Sequence, residues 1–284
     1  MPLEPLDPAA MEMAYNNQLA VPDHYRYSQA WLDNATFVRK HMAAAVDLAY
    51  GPGPRERLDI FPSPVPNAPV LVFIHGGWFQ FLDKSSLSFV AAPYVQAGIT
   101  VVAISYPLTP DARMPEIVRA ARRALLWVHA NIADHGGDPA RISVAGHSAG
   151  GHLALSLGFR DWTADAGQPD LVKGCFPISG LYDLRPVMGT IYNAKIGLDA
   201  ETALEWSPLE RFERAPSHLL AIVGGDEISG FQWQHRALMD FCAEQEINAA
   251  EHSAPGRNHY SVVDEFATAK GALFGKVAGA IQFL

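Results

Sequence analysis

Gly146-His147-Ser148-Ala149-Gly150 sets a serine between small residues. A serine hydroxyl is almost fully protonated at neutral pH, so it becomes a nucleophile only with a base beside it. His259, in Pro255-Gly256-Arg257-Asn258-His259-Tyr260, is the candidate base. An imidazole titrates near neutrality and can take the serine proton and return it to a leaving group. Asp226, in Gly224-Gly225-Asp226-Glu227, is the expected third member. It would bond the other ring nitrogen, fix the tautomer and stabilise the imidazolium. Glu227 is the rival acid, and His252, on an expected strand rather than a loop, stands behind His259 as base. The glycines of His75-Gly76-Gly77 let backbone N–H groups face a substrate without side chains in the way. The N–H groups of Gly76, Gly77 and Ala149 would then hold a tetrahedral oxyanion. Nucleophile, base, orienting acid and oxyanion donors are the parts of ester or amide hydrolysis.

Trp78, Phe79 and Phe81 follow the glycines directly and are expected to stack on a planar acyl or aryl group. His147 flanks the nucleophile, and Tyr192 comes from the long stretch 185–208; both are expected at the substrate. That stretch lies between two expected strands and is too long for a simple connection, so it reads as a small helical cap. Residues 11–45 are helical in pattern, have no place in a sheet, and are expected to cover the active site.

These residues need a frame that brings distant segments to one place. Val70–Ile74, Ile99–Ile104, Ile142–Ala145 and Leu219–Val223 are short, continuous apolar runs, as in strands covered on both faces. Lys173–Ile178 is a further candidate, and Ala45–Tyr50 with Arg57–Phe61 reads as an antiparallel pair around Gly51-Pro52-Gly53-Pro54. Pro115–Ala133, Phe231–Glu244 and Ala267–Gln282 carry helical patterns. Strands alternating with helices specify a mostly parallel sheet with helices on both faces. Such sheets place reacting groups at the carboxyl ends of their strands. Ser148 follows one strand there, His75-Gly76-Gly77 another and Asp226 a third.

Composition narrows the alternatives. The chain has 284 residues, 49% of them hydrophobic and 18% charged, which suits one globular domain over 1–284. A formal charge of -9 with no basic cluster disfavours nucleic acid as a partner. Cys175 and Cys242 each lie in apolar runs without metal-ligand or redox spacing, so no metal and no cofactor are expected. The stretch Met1 to Pro8 lacks the pattern of a secretion signal and no apolar run approaches bilayer length, so a cytoplasmic protein with no membrane partner is expected. The expected partner is a small amide or ester substrate, with a homodimer left open.

Taken together, these residues resemble the α/β-hydrolase fold from about Leu58 to the C-terminus. The set His75-Gly76-Gly77, Ser148, Asp226, His259 is similar to the esterase branch with an HGG-type oxyanion loop. Within it, Trp78 after the glycines, Ser105-Tyr106-Pro107-Leu108-Thr109-Pro110, Met114-Pro115-Glu116-Ile117, Ser179-Gly180-Leu181-Tyr182-Asp183-Leu184 and Tyr15-Asn16-Asn17 look like the arylformamidases, the serine-type kynurenine formamidases. The resemblance implies a metal-free serine hydrolase that cleaves N-formylkynurenine or a related small aryl formamide through an acyl-enzyme. A carboxylesterase of short-chain or aryl esters uses the same parts, and a non-catalytic binding protein on a hydrolase scaffold is the alternative of another class. The apolar loop Gln80-Phe81-Leu82 departs from what a charged amino-acid end would need; Arg113, Arg185 and Arg257 are the cations that could reach such a carboxylate.

Overall fold

The computed structural model describes residues 7–284, so most of the stretch searched for a leader, residues 1–6, lies outside the described part. Eight strands form one sheet: β1 (Ala45–Ala49), β2 (Arg57–Phe61), β3 (Ala68–Ile74), β4 (Thr100–Ile104), β5 (Gly137–His147), β6 (Val172–Ile178), β7 (His218–Gly224) and β8 (Ala249–Ala254). Their order is β1-β2-β4-β3-β5-β6-β7-β8. β1 with β2 and β2 with β4 run antiparallel, and the remaining neighbours run parallel. Every residue of β3 and β4 is buried, as their unbroken apolar runs require. Ile74 at the end of β3 lies opposite Ile104 on β4 and Gly146 on β5, which brings three strand ends level.

Helices cover both faces. Met114–Asn131 buries Ile117, Ala121, Leu125 and Val128 on one side and leaves Arg119 in water, while Arg123 pairs with the buried Glu56 at 2.8 Å. The Arg113 backbone N–H donates to Glu116 Oε2 at 2.6 Å, which caps its first turn. Ala149–Gly158 and Ser229–Glu244 share that face, and Ala272–Phe283 lies on the other. The single helix expected over Ala267–Gln282 is two, Ser261–Phe266 and Ala272–Phe283. The break falls at Gly271, which caps the second helix in an extended conformation.

The N-terminal segment forms helices Pro8–Tyr15, Asn17–Ala20 and His24–His41, and the chain then enters the sheet at β1. The last of these helices is tied down at two points. Trp31 Nε1 donates to Asp264 Oδ1 at 2.8 Å. Arg39 pairs with the fully buried Asp59 of β2, which also takes Lys84 Nζ at 2.9 Å. A buried carboxylate requires such partners, since desolvation alone would cost several kcal/mol. The stretch 185–208 is likewise built of short helical turns, Pro186–Gly189, Asn193–Ile196 and Ala200–Glu205. No helix is long and apolar enough to cross a membrane among the described residues.

Candidate active site

β5 ends at His147 and the next helix begins at Ala149, so Ser148 carries the whole reversal. Its backbone stands at φ 58° and ψ -119°, a conformation that L-residues avoid. The Ser148 N–H donates to Ile178 O of β6 at 2.8 Å, which helps to hold the bend. The flanking glycines permit close approach. A Cβ on Gly146 would lie 2.1 Å from Gly150 O, and one on Gly150 would lie 2.1 Å from Ile74 O. Ala149 opens the helix, so its N–H is among the N-terminal amides without an intrahelical acceptor. The helix dipole adds partial positive charge at the same end.

The glycine loop arrives from β3. A Cβ on Gly76 would stand 2.7 Å from His147 O and 3.1 Å from Ser148 Cβ, so this residue lies against the serine turn. Gly77 has φ +99°, and beyond it Trp78, Phe79 and Leu82 also have positive φ, at 55°, 58° and 67°. That concentration of left-handed residues marks strain held by the surrounding fold. His75 supports the loop from behind. Its ring stacks on Tyr106 at 4.3 Å and 9°, and Nδ1–H donates to Gly76 O at 2.8 Å. Burial lowers its pKa to about 4, so the ring is neutral.

The acid differs from the sequence expectation. Asp226 is exposed, and Glu227 is the carboxylate that meets His259. Glu227 Oε2 accepts from His259 Nδ1 at 2.7 Å. Its Oε1 accepts from Gly224 N at 2.8 Å and from the Ser179 hydroxyl. The cause is the turn after β7. Gly225 N donates to Ala254 O at 2.7 Å and Asp226 N to Arg257 O at 2.9 Å, which leaves the Asp226 side chain outward and brings Glu227 in. Ser179, whose φ is 48°, had no role in the sequence reading; its place in Ser179-Gly180 after an expected strand was the available signal.

His259 is buried between Phe231, with ring centroids 4.2 Å apart, and His147, at 4.6 Å. His147 Nε2–H donates to the backbone O of His259 at 2.8 Å. Burial, then the neighbouring His259, holds the His147 pKa well below the usual histidine range, so it stays neutral. Trp31 meets the His147 ring edge-on at 6.3 Å, a contact that sequence spacing gave no means to foresee. Ser148 and His259 make no direct hydrogen bond in this arrangement, and His147 is the side chain that links their two segments. Apo sites often close this bond only with substrate in place.

The expected substrate-binding residues divide. Trp78 and Tyr192 are brought together, stacked at 4.0 Å and 8°. His147 faces the histidine loop, as described. Phe79 is a core residue: it is fully buried, and His152 meets its ring edge-on at 5.3 Å. Phe81 turns outward, is 47% exposed and lies under Lys195 Nζ at 5.8 Å. The tight turn that makes Phe81 N donate to Gly77 O at 2.9 Å separates these two rings. His252 is engaged elsewhere, 3.7 Å from Glu265 and 3.1 Å from Lys276 Nζ. Among the described residues, no three His, Cys, Asp or Glu side chains are grouped to hold a metal ion.

Comparison with known proteins agrees with this architecture. The kynurenine formamidase of Danio rerio is 30% identical over 78% of this chain and 76% of its own. An esterase of Mycobacterium tuberculosis is 36% identical over 51% of this chain and 37% of its own. A crystal structure from Silicibacter sp. TM1040, proposed to be a thioesterase, superposes with a TM-score of 0.83 at 30% identity, covering 95% of this chain and 97% of that one. A family model described as alpha/beta hydrolase fold matches residues 71–216. The sheet order, the serine turn after β5 and these matches carry one conclusion: the chain belongs to the alpha/beta hydrolase fold family.

Proposed function

We propose that this chain is a serine hydrolase of small aryl formamides, amides or esters, with Ser148, His259 and Glu227 as its triad. The observation that carries the reading is the buried Glu227–His259 bond of 2.7 Å, made to Nδ1. It fixes the tautomer that leaves Nε2 as the basic nitrogen. Ser148 Oγ attacks the carbonyl carbon and passes its proton to His259 Nε2. The oxyanion is met by N–H groups of Gly76, Gly77 and Ala149, each worth ~3 kcal/mol in the barrier. His259 then protonates the departing amine or alcohol, which leaves an acyl group on Ser148. Water, deprotonated by the same ring, releases the acid. The formamidase and esterase relatives support an amide or ester as substrate.

Ser148→Ala is expected to lower turnover by ~10^4-fold or more while the protein stays folded. A serine-directed phosphonate should add its mass at residue 148 of the unaltered protein alone. Labelling elsewhere, or activity that survives the substitution, rejects the mechanism. A carboxylesterase of short-chain or aryl esters is the second reading, supported by the esterase relative. Relative rates on N-formylkynurenine and short p-nitrophenyl esters separate the two.

A further inference from the structure

The nucleophile and base of the proposed reaction come from distant segments of the chain, and the distance between them must be set. Ser148 lies on the bend after β5, and His259 lies in the loop between β8 and the helix Ser261–Phe266. The Glu227 bond to Nδ1 fixes the rotation and tautomer of the His259 ring, but it comes from the turn after β7 and not from the serine's own segment. The backbone of His259 is held by another group. Its carbonyl O accepts from His147 Nε2–H at 2.8 Å, and among the described residues no other donor is bonded to it. The helix that follows leaves this carbonyl free, because Val262 N donates to Asn258 O and Val263 N to Tyr260 O, each at 3.1 Å.

The same imidazole abuts all three parts of the proposed machinery. It is joined through the chain to Ser148, and its ring lies 4.6 Å from that of His259. A Cβ on Gly76 would stand 3.2 Å from its Nδ1. His147 is buried and Trp31 borders it at 6.3 Å, so the ring has little room to swing. A donor at this place must also be uncharged. The His259 ring becomes a cation as it takes the serine proton, and a second cation 4.6 Å away would oppose that step. A neutral imidazole supplies one N–H without adding charge.

We propose that His147 is the positioning residue of the base: its Nε2–H sets the reach between the serine bend and the His259 backbone, and its ring does not receive substrate. This rests on the hydrolase reading above and deepens it.

Gln and Asn at this position test it, because a Gln side-chain amide reaches about as far as Nε2–H and the shorter Asn amide does not. His147→Leu removes the donor with an apolar side chain, should the buried Asn amide unsettle the fold. Steady-state kinetics on an aryl ester and a formanilide give kcat and KM. Hydrogen exchange of the 255–266 amides, followed by mass spectrometry, reports the base's loop without any substrate. His147→Asn and His147→Leu should lower kcat by about 30–100-fold with KM within about threefold, since a base displaced by ~1 Å loses rate on that order. Both should exchange the loop about tenfold faster. His147→Gln should recover most of the lost rate, to within about fivefold of the unaltered protein, and most of the protection. Loop exchange that Asn and Leu leave unaltered overturns the tie, whatever the rates. Faster exchange with kcat intact overturns the positioning role. A rise in KM with kcat intact does the same, and makes His147 a substrate contact like the aromatic wall that Trp78 and Tyr192 form. A Gln variant as slow as Asn overturns the assignment to the Nε2–H bond. Faster exchange in Asn and Leu, recovered in Gln, with no amide or ester turned over by the unaltered protein, upholds the tie and overturns the hydrolase reading.

Discussion

At the scale of residues, the proposed chemistry turns on which of two adjacent carboxylates faces the imidazole. Glu227→Gln should lower kcat by ~10^3–10^4-fold, because an amide nitrogen in place of Oε2 favours the wrong imidazole tautomer. Asp226→Asn should stay near the unaltered rate, since that side chain is in water. Steady-state kinetics on the pair decides it, and the reverse ranking would move the triad one residue back. The glycine-flanked bend at Ser148 and the loop that carries His259 were legible in the sequence, because each needs only its local setting. That Glu227 rather than Asp226 meets His259 was not legible, because the choice depends on bonds to Ala254 and Arg257, about thirty residues away, which no local pattern encodes. Phe79 and Phe81 divide for a similar reason, since the turn at Gly77 rather than hydrophobicity sends one ring inward and the other out.

At the scale of elements, the strands were readable from their apolar runs, and β3, β5 and β7 end at the proposed site. What sequence could not show is how the helix His24–His41 engages the site. It acts through Trp31, whose ring borders His147 and whose Nε1–H is spent on Asp264, in the helix that follows His259. Tyr27 and His24 add to this by stacking on Tyr260 at 5.6 Å and 5.8 Å. Trp31→Phe keeps most of the packing and deletes the donor. It should cost about 1–2 kcal/mol in urea unfolding, because Asp264 is left partly buried without its partner. It should also lower kcat more than it raises KM, since the looser part is the base's loop and not the aromatic wall. A KM effect with kcat intact would make the helix a substrate-binding lid instead.

At the scale of the whole molecule, several histidines are held neutral inside the fold, and this sets how the protein answers acid. Burial lowers His75 and His152 from 6.5 to about 4. The unfolded chain therefore binds more protons than the native one between those values, and stability falls as pH drops from 6.5 to 4, then levels for these groups. Each contributes on the order of 3 kcal/mol over the full window. The urea midpoint should decline steadily through that range, and His152→Gln should make the decline shallower. A midpoint flat from pH 6.5 to 4 would mean that these rings are charged in the native state. The tie between Trp31 and Asp264 has another outcome, for synthesis. Its two ends are 233 residues apart, so the indole of an emerging polypeptide has nothing to close upon until residue 264 has left the ribosome. The histidine loop sits beside the late end of that tie, so the proposed reaction centre is completed only after that point. A nascent chain halted before residue 259 would carry the serine segment without its proposed base.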